Sequence, residues 1–356
     1  MPAADAATQV AERALALVDI PSVSGKEEAV TDYIRRAVSL PALFDDGESL
    51  IYAVRAGRPL VLLAGHTDTV PEQGNLPGSI ADGAVIGLGA SDMKGGLAVM
   101  IELANWAAWA ELGYDLGVLF FPREELGPSV NPLPGLFESA PLVDEAELVV
   151  VLEPTDNTLQ LGCLGNLVAR VVFEGRAAHS ARPWHGVNAV GVAFDGLPGV
   201  LALEPRDVRL EGLVFREVLS VTEIHGGIAS NVVPASVEAT LNFRYAPDRD
   251  PESAVARVTE LVGREVEVLA NSPPARVPSL DGRVLSALRA AGDFEVEPKQ
   301  AWTNVADFAA RGLDAVNLGP GATRYAHAAD ERVEIAELER TLTSLKRFLG
   351  GVPFPA

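Results

Sequence analysis

The chain is poor in cysteine and in positive charge. Among its 356 residues Cys163 is the only cysteine, and 28 Lys and Arg residues face 49 Asp and Glu residues, for a formal net charge of −21. A single cysteine excludes a disulfide framework within the chain and favours a reducing compartment. Because phosphate recognition needs a cationic surface, we expect no nucleic-acid partner.

Long apolar runs and a basic N-terminus are also missing. The first residues, MPAADAATQVAERALALV, lack the cationic start of a signal peptide. No apolar run approaches the ~18 residues that a membrane-spanning helix requires. The sequence therefore predicts a cytoplasmic protein without a membrane partner. With 48% hydrophobic residues, the chain is long enough for two domains of ordinary size.

Three short apolar segments predict the strands of a buried sheet. They are Leu60–Ala64, Gly117–Phe121 and Leu148–Leu152. None of them alternates between apolar and polar residues, as expected of strands that are covered on both faces. Helical periodicity separates them, most clearly from about Gly95 to Trp109. This alternation predicts an α/β fold with a mostly parallel sheet.

Two helices are predicted before the first of these strands. Apolar residues recur at helical spacing from about Ala6 to Val18. Ser24 and Glu27 then have the spacing of a capping box, which predicts a second helix from there to about Val38.

The pattern changes after about residue 167. Leu167–Glu174, Leu219–His225 and Ser236–Tyr245 alternate like half-exposed strands, and helices are predicted near Val187–Leu203 and Pro251–Val262. We therefore predict an inserted α+β domain over residues 167–276. It would interrupt a catalytic domain made of residues 1–166 and 277–356.

Polar side chains follow each of the three buried strands. His66 and Asp68 follow the first, Glu124 and Glu125 the second, and Glu153 the third. Because open α/β sheets bind ligands at the carboxyl edge of their strands, these side chains predict a site there. Each also has a simpler interpretation, since a His-x-Asp pair can be a polar cap and paired glutamates can lie in a solvated loop.

Two further residues are ambiguous by themselves. Asp92 could simply cap the helix that follows it, and His327 could be an ordinary loop histidine. The glycine-rich run Gly89–Gly96 matches neither of the phosphate-binding glycine motifs, which excludes a nucleotide loop.

Together, these residues form two potential zinc sites. Zinc accepts histidine nitrogen and carboxylate oxygen, and a catalytic zinc keeps one position for water. If Asp92 bridges two ions, His66 and Glu153 complete one site, while Glu125 and His327 complete the other. The mixed nitrogen and oxygen ligands leave cobalt or manganese as alternatives.

Two carboxylates remain outside these ligand sets. Asp68 is then the partner that orients His66, and Glu124 is the general base that deprotonates water and passes the proton to the leaving amine. Two zinc ions, three carboxylate ligands and a bridging hydroxide would be electrically neutral together.

These motifs resemble the dizinc aminoacylase and carboxypeptidase metallopeptidases. The matching stretches, in order along the chain, are Gly65–Pro71, Gly89–Gly96, Arg123–Glu125, Glu153-Pro154 and His327. The resemblance implies a zinc-peptidase-like catalytic domain plus an inserted lid that forms a homodimer. It also implies that His179, in the run Gly175–Ser180, reaches the partner subunit's site and stabilises an oxyanion.

Within this family, the stretches Glu217–Asp248 and Ala301–Gly321 look most like the actinobacterial-type desuccinylases. That match implies hydrolysis of N-succinyl-LL-2,6-diaminopimelate, with Arg244, Asn231 and Thr303 as substrate-binding residues. The alternative to substrate binding for Arg244 is a salt bridge at the protein surface. The other substrates considered are N-acetylornithine, an N-acyl-lysine and a dipeptide. A binding protein without catalysis is the alternative from another class.

Overall fold

The computed structural model describes residues 3–127 and 129–351, which form two compact units. The first unit consists of Met1–Leu161, Pro278–Glu297 and Asp307–Ala356. The second consists of Gly162–Val277 and Pro298–Ala306. The chain therefore leaves the first unit, forms the second, and returns.

The helices and strands alternate along most of the chain. The helices are α1 (Ala3–Val18), α2 (Glu28–Ala37), α3 (Gly95–Ala107), α4 (Leu133–Ser139), α5 (Ala189–Gly196), α6 (Pro198–Leu201), α7 (Pro251–Val262), α8 (Arg283–Gly292), α9 (Val305–Ala310) and α10 (Ile335–Gly350). Across the described residues, no helix combines the length and the apolar character needed to span a membrane.

The strands are β1 (Ala42–Asp45), β2 (Leu50–Val54), β3 (Leu60–His66), β4 (Ser79–Ala81), β5 (Ala84–Ile86), β6 (Asp115–Phe121), β7 (Ala146–Val151), β8 (Leu159–Cys163), β9 (Gly165–Glu174), β10 (Ala178–His179), β11 (Arg206–Leu210), β12 (Leu213–Gly226), β13 (Val232–Val233), β14 (Ser236–Tyr245), β15 (Glu267–Ser272), β16 (Val296–Lys299), β17 (Ala315–Asn317) and β18 (Arg332–Glu334).

The large sheet has the order β1-β2-β6-β3-β7-β17-β8-β16. Its central strands β6, β3, β7 and β17 are parallel, while β2 and β8 join them antiparallel on either side. Every residue of β3 and β6 is buried, as their continuous apolar sequences predicted. The α/β fold with a mostly parallel central sheet is therefore confirmed.

The second unit is built on an antiparallel sheet with the order β11-β12-β14-β9-β15. Burial along β9 alternates, because one face of the sheet packs on a core and the other does not. The buried side chains Leu167, Ala169, Val171 and Phe173 of β9 share this core with residues of α5, α6 and α7. The alternating sequences predicted this half-exposed sheet.

The predicted capping box is wrong. Helix α2 begins at Glu28, after Glu27, and no side chain caps its first turn. Glu27 instead accepts a hydrogen bond from the backbone N–H of Gly25 (2.8 Å), and the Ser24 hydroxyl donates to Asp68 (2.7 Å). Ser24 thus bonds to a distant carboxylate rather than to the start of its own helix.

The single helix predicted over Val187–Leu203 is divided into α5 and α6. Asn188 caps α5 by accepting from the backbone N–H of Val190 (3.0 Å), and Pro198 begins α6. Since proline has no backbone N–H to continue an existing helix, the break falls directly before it.

The segment 298–306 lies in the second unit, although residues 277–356 were predicted to belong to the catalytic domain. Gln300 accepts from the backbone N–H of Arg216 (3.0 Å) and donates to the backbone oxygen of Val214 (2.8 Å). The indole N–H of Trp302 donates to the Pro273 backbone oxygen (3.1 Å). These contacts between distant parts of the chain leave no local trace in the sequence.

Candidate metal centre

Three neighbouring parallel strands deliver side chains to one edge of the large sheet. Strand β3 ends at His66, β6 ends at Phe121 shortly before Glu124, and β7 ends at Val151 shortly before Glu153. Because β3 pairs with both β6 and β7 in parallel, their carboxyl ends meet at the same edge. The sheet thus assembles the candidate ligands from three separate segments.

Asp92 reaches this edge from the turn between β5 and α3. Gly89 begins the turn with a φ of 76°, in the left-handed region that glycine adopts without steric cost. At the start of α3, a Cβ on Gly96 would lie 2.4 Å from the backbone oxygen of Leu152. The glycine-rich run therefore allows a close approach of the helix to Leu152, the residue directly after β7. Within this run, Asp92 lies beside His66.

The two predicted ligand sets are each brought together. In the sets His66, Asp92, Glu153 and Asp92, Glu125, His327, the potential ligand atoms lie within 4.8 Å of one another. Asp92 presents Oδ1 to His66 Nε2 (3.1 Å) and Oδ2 to His327 Nε2 (3.5 Å). One carboxylate therefore faces both imidazoles, as a bridge between two ions requires.

The remaining distances complete the cluster. Glu153 Oε1 lies 3.8 Å from His66 Nε2, and Glu125 Oε1 lies 3.0 Å from His327 Nε2. Glu124 also belongs to it, since one of its oxygens lies within the same 4.8 Å limit of ligand atoms on His66 and Glu125. The predicted general base is thus next to both predicted ligand sets.

The electrostatics of the cluster favour added positive charge. Burial, followed by the charges of Glu153 and Glu125, raises the pKa of Glu124 well above its usual range. The hydrogen bond to Glu125 raises the pKa of His327 to about 9. Burial opposes protonation of His66, but its hydrogen bonds to Asp68 and Asp92 raise its pKa well above the usual value.

These shifts show that carboxylates outnumber cations in a buried space. Two divalent cations would offset that excess, and the imidazole and carboxylate donors suit several transition metals. The residues present therefore fit a dinuclear metal centre.

Asp68 orients two parts of the cluster at once. His66 Nδ1 lies 3.1 Å from the Asp68 backbone oxygen and 3.4 Å from its carboxylate, so the proton belongs on Nδ1 and Nε2 is available as a ligand. The Asp68 carboxylate also accepts from the backbone N–H groups of Glu124 (3.0 Å) and Glu125 (3.1 Å). Against burial, its hydrogen bonds with His66 and Ser24 lower the pKa of Asp68 to about 2.

Two residues at the site hold an uncommon backbone conformation. Arg123, directly before Glu124, has a φ of 61°, and His327 also has a φ of 61°. Non-glycine residues pay roughly 1 kcal/mol or more for this region, and such residues concentrate at functional sites. Arg123 is held there by two hydrogen bonds to Glu48, and the His327 backbone oxygen accepts from Gln73.

Two residues that support the cluster were not predicted from the sequence. One is Ser24, whose bond to Asp68 was hidden by the capping-box interpretation. The other is Glu331, a buried carboxylate that accepts from the backbone N–H of Asp92 (2.9 Å) and whose pKa burial raises to about 7. Neither has a motif that could have revealed it.

The other predicted site residues lie in the second unit. His179 is exposed on β10, and its Nδ1 accepts from the backbone N–H of Ala181 (3.0 Å). That bond leaves the proton on Nε2, which can donate to an oxygen. Asn231 is exposed, and its backbone oxygen accepts from the N–H of Ser180 (2.9 Å), next to His179.

Arg244 and Thr303 have different surroundings within the same unit. The Arg244 guanidinium donates to the Asn242 side chain (3.0 Å), and burial lowers its pKa. Among the described residues of the second unit, no carboxylate lies within ion-pair distance of Arg244. Thr303 is only 4% exposed.

Comparison with known proteins identifies the family. The model of peptidase family M20/M25/M40 matches residues 62–350, and the chain belongs to this family. The solved structure of aminopeptidase PepT from Bacillus cereus has the same fold, with a TM-score of 0.78 at 19% identity, covering 97% of this chain and 98% of that one. The predicted family is therefore confirmed, and with it the class of metal-dependent amidohydrolases.

The proteins of similar sequence include succinyl-diaminopimelate desuccinylases. The chain is 36% identical over 347 residues to a putative succinyl-diaminopimelate desuccinylase, DapE, of Mycobacterium tuberculosis, covering 96% of this chain and 98% of the relative. It is 35% identical over 346 residues to a succinyl-diaminopimelate desuccinylase of Corynebacterium glutamicum, covering 94% of each. The fold is also shared by a dinuclear metal binding peptidase, the YXEP protein of Bacillus subtilis, with a TM-score of 0.66, 18% identity and 97% of each chain covered.

Proposed function

We propose that the protein is a zinc-dependent desuccinylase that hydrolyses N-succinyl-LL-2,6-diaminopimelate to succinate and LL-2,6-diaminopimelate. The observation that carries this proposal is the similarity to desuccinylases over nearly the whole chain, at 36% and 35% identity. The product would place the enzyme in the biosynthesis of lysine.

In this proposal the first unit holds two zinc ions. His66, Asp92 and Glu153 would bind one, and Asp92, Glu125 and His327 would bind the other. When bound, such a metal pair supplies an activated water and polarises the amide carbonyl. Asp68 keeps the proton on His66 Nδ1, so that Nε2 stays free to bind.

Glu124 moves the proton. Its carboxylate takes a proton from the attacking water and delivers it to the amine nitrogen as the amide bond breaks. Its position within the cluster supports this role, because one of its oxygens lies within 4.8 Å of ligand atoms on His66 and Glu125.

We further propose that the active form is a homodimer, in which His179 of one subunit donates its Nε2–H to the substrate oxygen as negative charge develops there. Support comes from an apolar groove of about 300 Å³ on the second unit. Phe194 and Leu201 line it and are 78% and 70% exposed. Large exposed apolar side chains of this kind indicate a protein interface.

Arg244 is the proposed contact for the succinyl carboxylate. A guanidinium can bind a carboxylate through two parallel hydrogen bonds, and partial burial strengthens such a bond. Asn231 would donate a further hydrogen bond. Thr303 is the least supported of the three proposed substrate-binding residues, because its side chain is buried.

The experiment is amide hydrolysis by the purified, zinc-loaded protein on a panel of substrates. The panel contains N-succinyl-LL-2,6-diaminopimelate, N-acetylornithine, an N-acyl-lysine and a dipeptide, with Glu124→Ala as the inactive control. Fast release of succinate that depends on Glu124 is the expected result.

Other outcomes of this experiment would change the proposed substrate or exclude catalysis. Turnover of a different panel member alone would keep the amidohydrolase mechanism and change the substrate. Metal binding without hydrolysis of any member would favour a binding protein that lacks catalysis.

A further inference from the structure

Glu331 is a buried carboxylate with three backbone donors on one turn. It is 1% exposed. Its Oε2 accepts from the N–H of Gly89 (2.8 Å), and its Oε1 accepts from those of Ser91 (3.1 Å) and Asp92 (2.9 Å). These three N–H groups belong to the turn that carries Asp92, so one side chain fixes the conformation of that turn.

The same short segment also carries His327. Glu331 follows His327 by four residues, and its backbone N–H donates to the Ala328 oxygen (3.2 Å). Its backbone oxygen accepts from Gly87 (2.9 Å), and strand β18, which follows directly, pairs with β5. Asp92 is thus held from two sides, with Glu331 at its backbone and His327 at its carboxylate.

The contacts require a carboxylate rather than an amide. Three N–H donors converge on two oxygens, and a carboxylate accepts at both. A glutamine would direct its own N–H₂ group at one of these donors and leave it without an acceptor. Lys94, which follows the same turn, interacts electrostatically with Glu331, while its ammonium donates to the Ile20 oxygen (2.7 Å). Burying the charge is therefore only partly compensated by surrounding groups, which agrees with the raised pKa of Glu331.

We propose that Glu331 is a positioning residue for the metal centre, which holds Asp92 so that its two oxygens face His66 and His327. The proposal rests on the metal centre of the proposed function. A bridging carboxylate must satisfy two ions at once, so a small rotation of the turn would weaken the binding of both. Residues that orient metal ligands typically change metal affinity by about 10- to 100-fold when they are replaced.

The test compares Glu331→Gln with Asp115→Asn. Asp115 is also fully buried, and it accepts from the backbone N–H groups of Ala56, Gly57 and Arg58. It begins β6, whereas the metal cluster follows the other end of that strand. The control thus removes a buried carboxylate that accepts from three backbone N–H groups away from the cluster, and Asp115 differs from Glu331 in also pairing with the Arg58 guanidinium (3.0 Å).

Each metal-free protein is titrated with Co²⁺, and the affinity, the stoichiometry and the visible absorption spectrum are recorded. Glu331→Gln should bind Co²⁺ about 10- to 100-fold more weakly, with a changed spectrum, while Asp115→Asn should bind like the unmodified protein. Wild-type affinity and spectrum in Glu331→Gln would overturn the proposal. Failure of the unmodified protein to bind Co²⁺ would instead refute the metal centre itself.

Glu331→Asp covers the case in which Glu331→Gln does not fold. This variant keeps the charge but is one methylene shorter, so it cannot reach all three donors. We expect weakened Co²⁺ binding and a changed spectrum here too, and unchanged values would contradict the positioning role.

Discussion

The two units of the molecule place their proposed catalytic residues in different surroundings, largely buried in the first unit and exposed in the second. In the first, strands buried on both faces end in a cluster of carboxylates and imidazoles, and burial together with like charges raises the pKa of Glu124. In the second, strands alternate between buried and exposed residues, and His179 lies exposed on a short strand. The first arrangement suits proton transfer and metal binding, whereas the second suits recognition and contact with other molecules.

The comparison predicts the largest effect for Glu124→Gln, in the first unit. The amide has almost the same shape but cannot take a proton from water, so kcat should fall by about 10²- to 10⁴-fold. Metal content, measured by atomic spectrometry, should stay the same. Glu147→Gln, at an exposed position of β7, is the control and should keep full activity. Near-normal kcat in Glu124→Gln would remove the proton-transfer role from this residue.

His179→Ala tests whether the second unit contributes to chemistry. Loss of one hydrogen-bond donor to an oxyanion should lower kcat by about 10²- to 10³-fold. The control is Arg209→Ala, since Arg209 is exposed on β11 of the same unit and does not line the apolar groove.

Mixing the subunits of two inactive variants then shows whether the His179 that serves an active site comes from the same subunit or from its partner. Dimers formed randomly from His179→Ala and Glu124→Gln chains contain one complete site in half of the molecules, so about a quarter of the activity should return. If each subunit used its own His179, mixing would restore none.

Metal-free protein should lose stability as the pH rises. The pKa of Glu331 is raised to about 7, that of His327 to about 9, and that of Glu124 well above its usual range. These three groups therefore bind more protons in the folded state than in the unfolded state, and the stability present at about pH 4.5 declines up to about pH 9. The pKa of Lys94, which burial lowers to about 8, opposes this decline only above about pH 8. Glu331 alone would account for about 3 kcal/mol. The lowered pKa of Asp68 acts only at lower pH.

Hydrogen exchange, corrected for its intrinsic pH dependence, can locate this loss. Peptides of the first unit should lose protection between pH 5 and pH 9 more than peptides of the second, because the three groups lie in the first unit. Added zinc should reduce the difference. An equal loss in both units would show that the cluster is not its source.

The fold and the metal cluster could be predicted from the sequence, whereas the contacts that support the cluster could not. Strands β3, β6 and β7 were predictable because each is a continuous apolar run, and the polar residues after them could be assigned to one sheet edge. Ser24 and Glu331 were not. Ser24 bonds to a residue 44 positions away, and Glu331 to Asp92, 239 positions away. Such long-range bonds leave no periodic pattern, and at Ser24 a local capping motif gave a competing interpretation.

Substitution of Arg244 should give the smallest effect and sharpen the division between the units. Arg244→Lys keeps the charge but loses the paired hydrogen bonds, so KM for N-succinyl-LL-2,6-diaminopimelate should rise about 10- to 100-fold while kcat changes less. N-acetyl substrates, which lack the second carboxylate, should be unaffected. Arg216→Lys is the matched control, because Arg216 lies on the adjacent strand β12 and is paired with Asp207 at the surface. A fall in kcat for Arg244→Lys as large as that for Glu124→Gln, with KM unchanged, would show that Arg244 acts in the chemical step rather than in recognition.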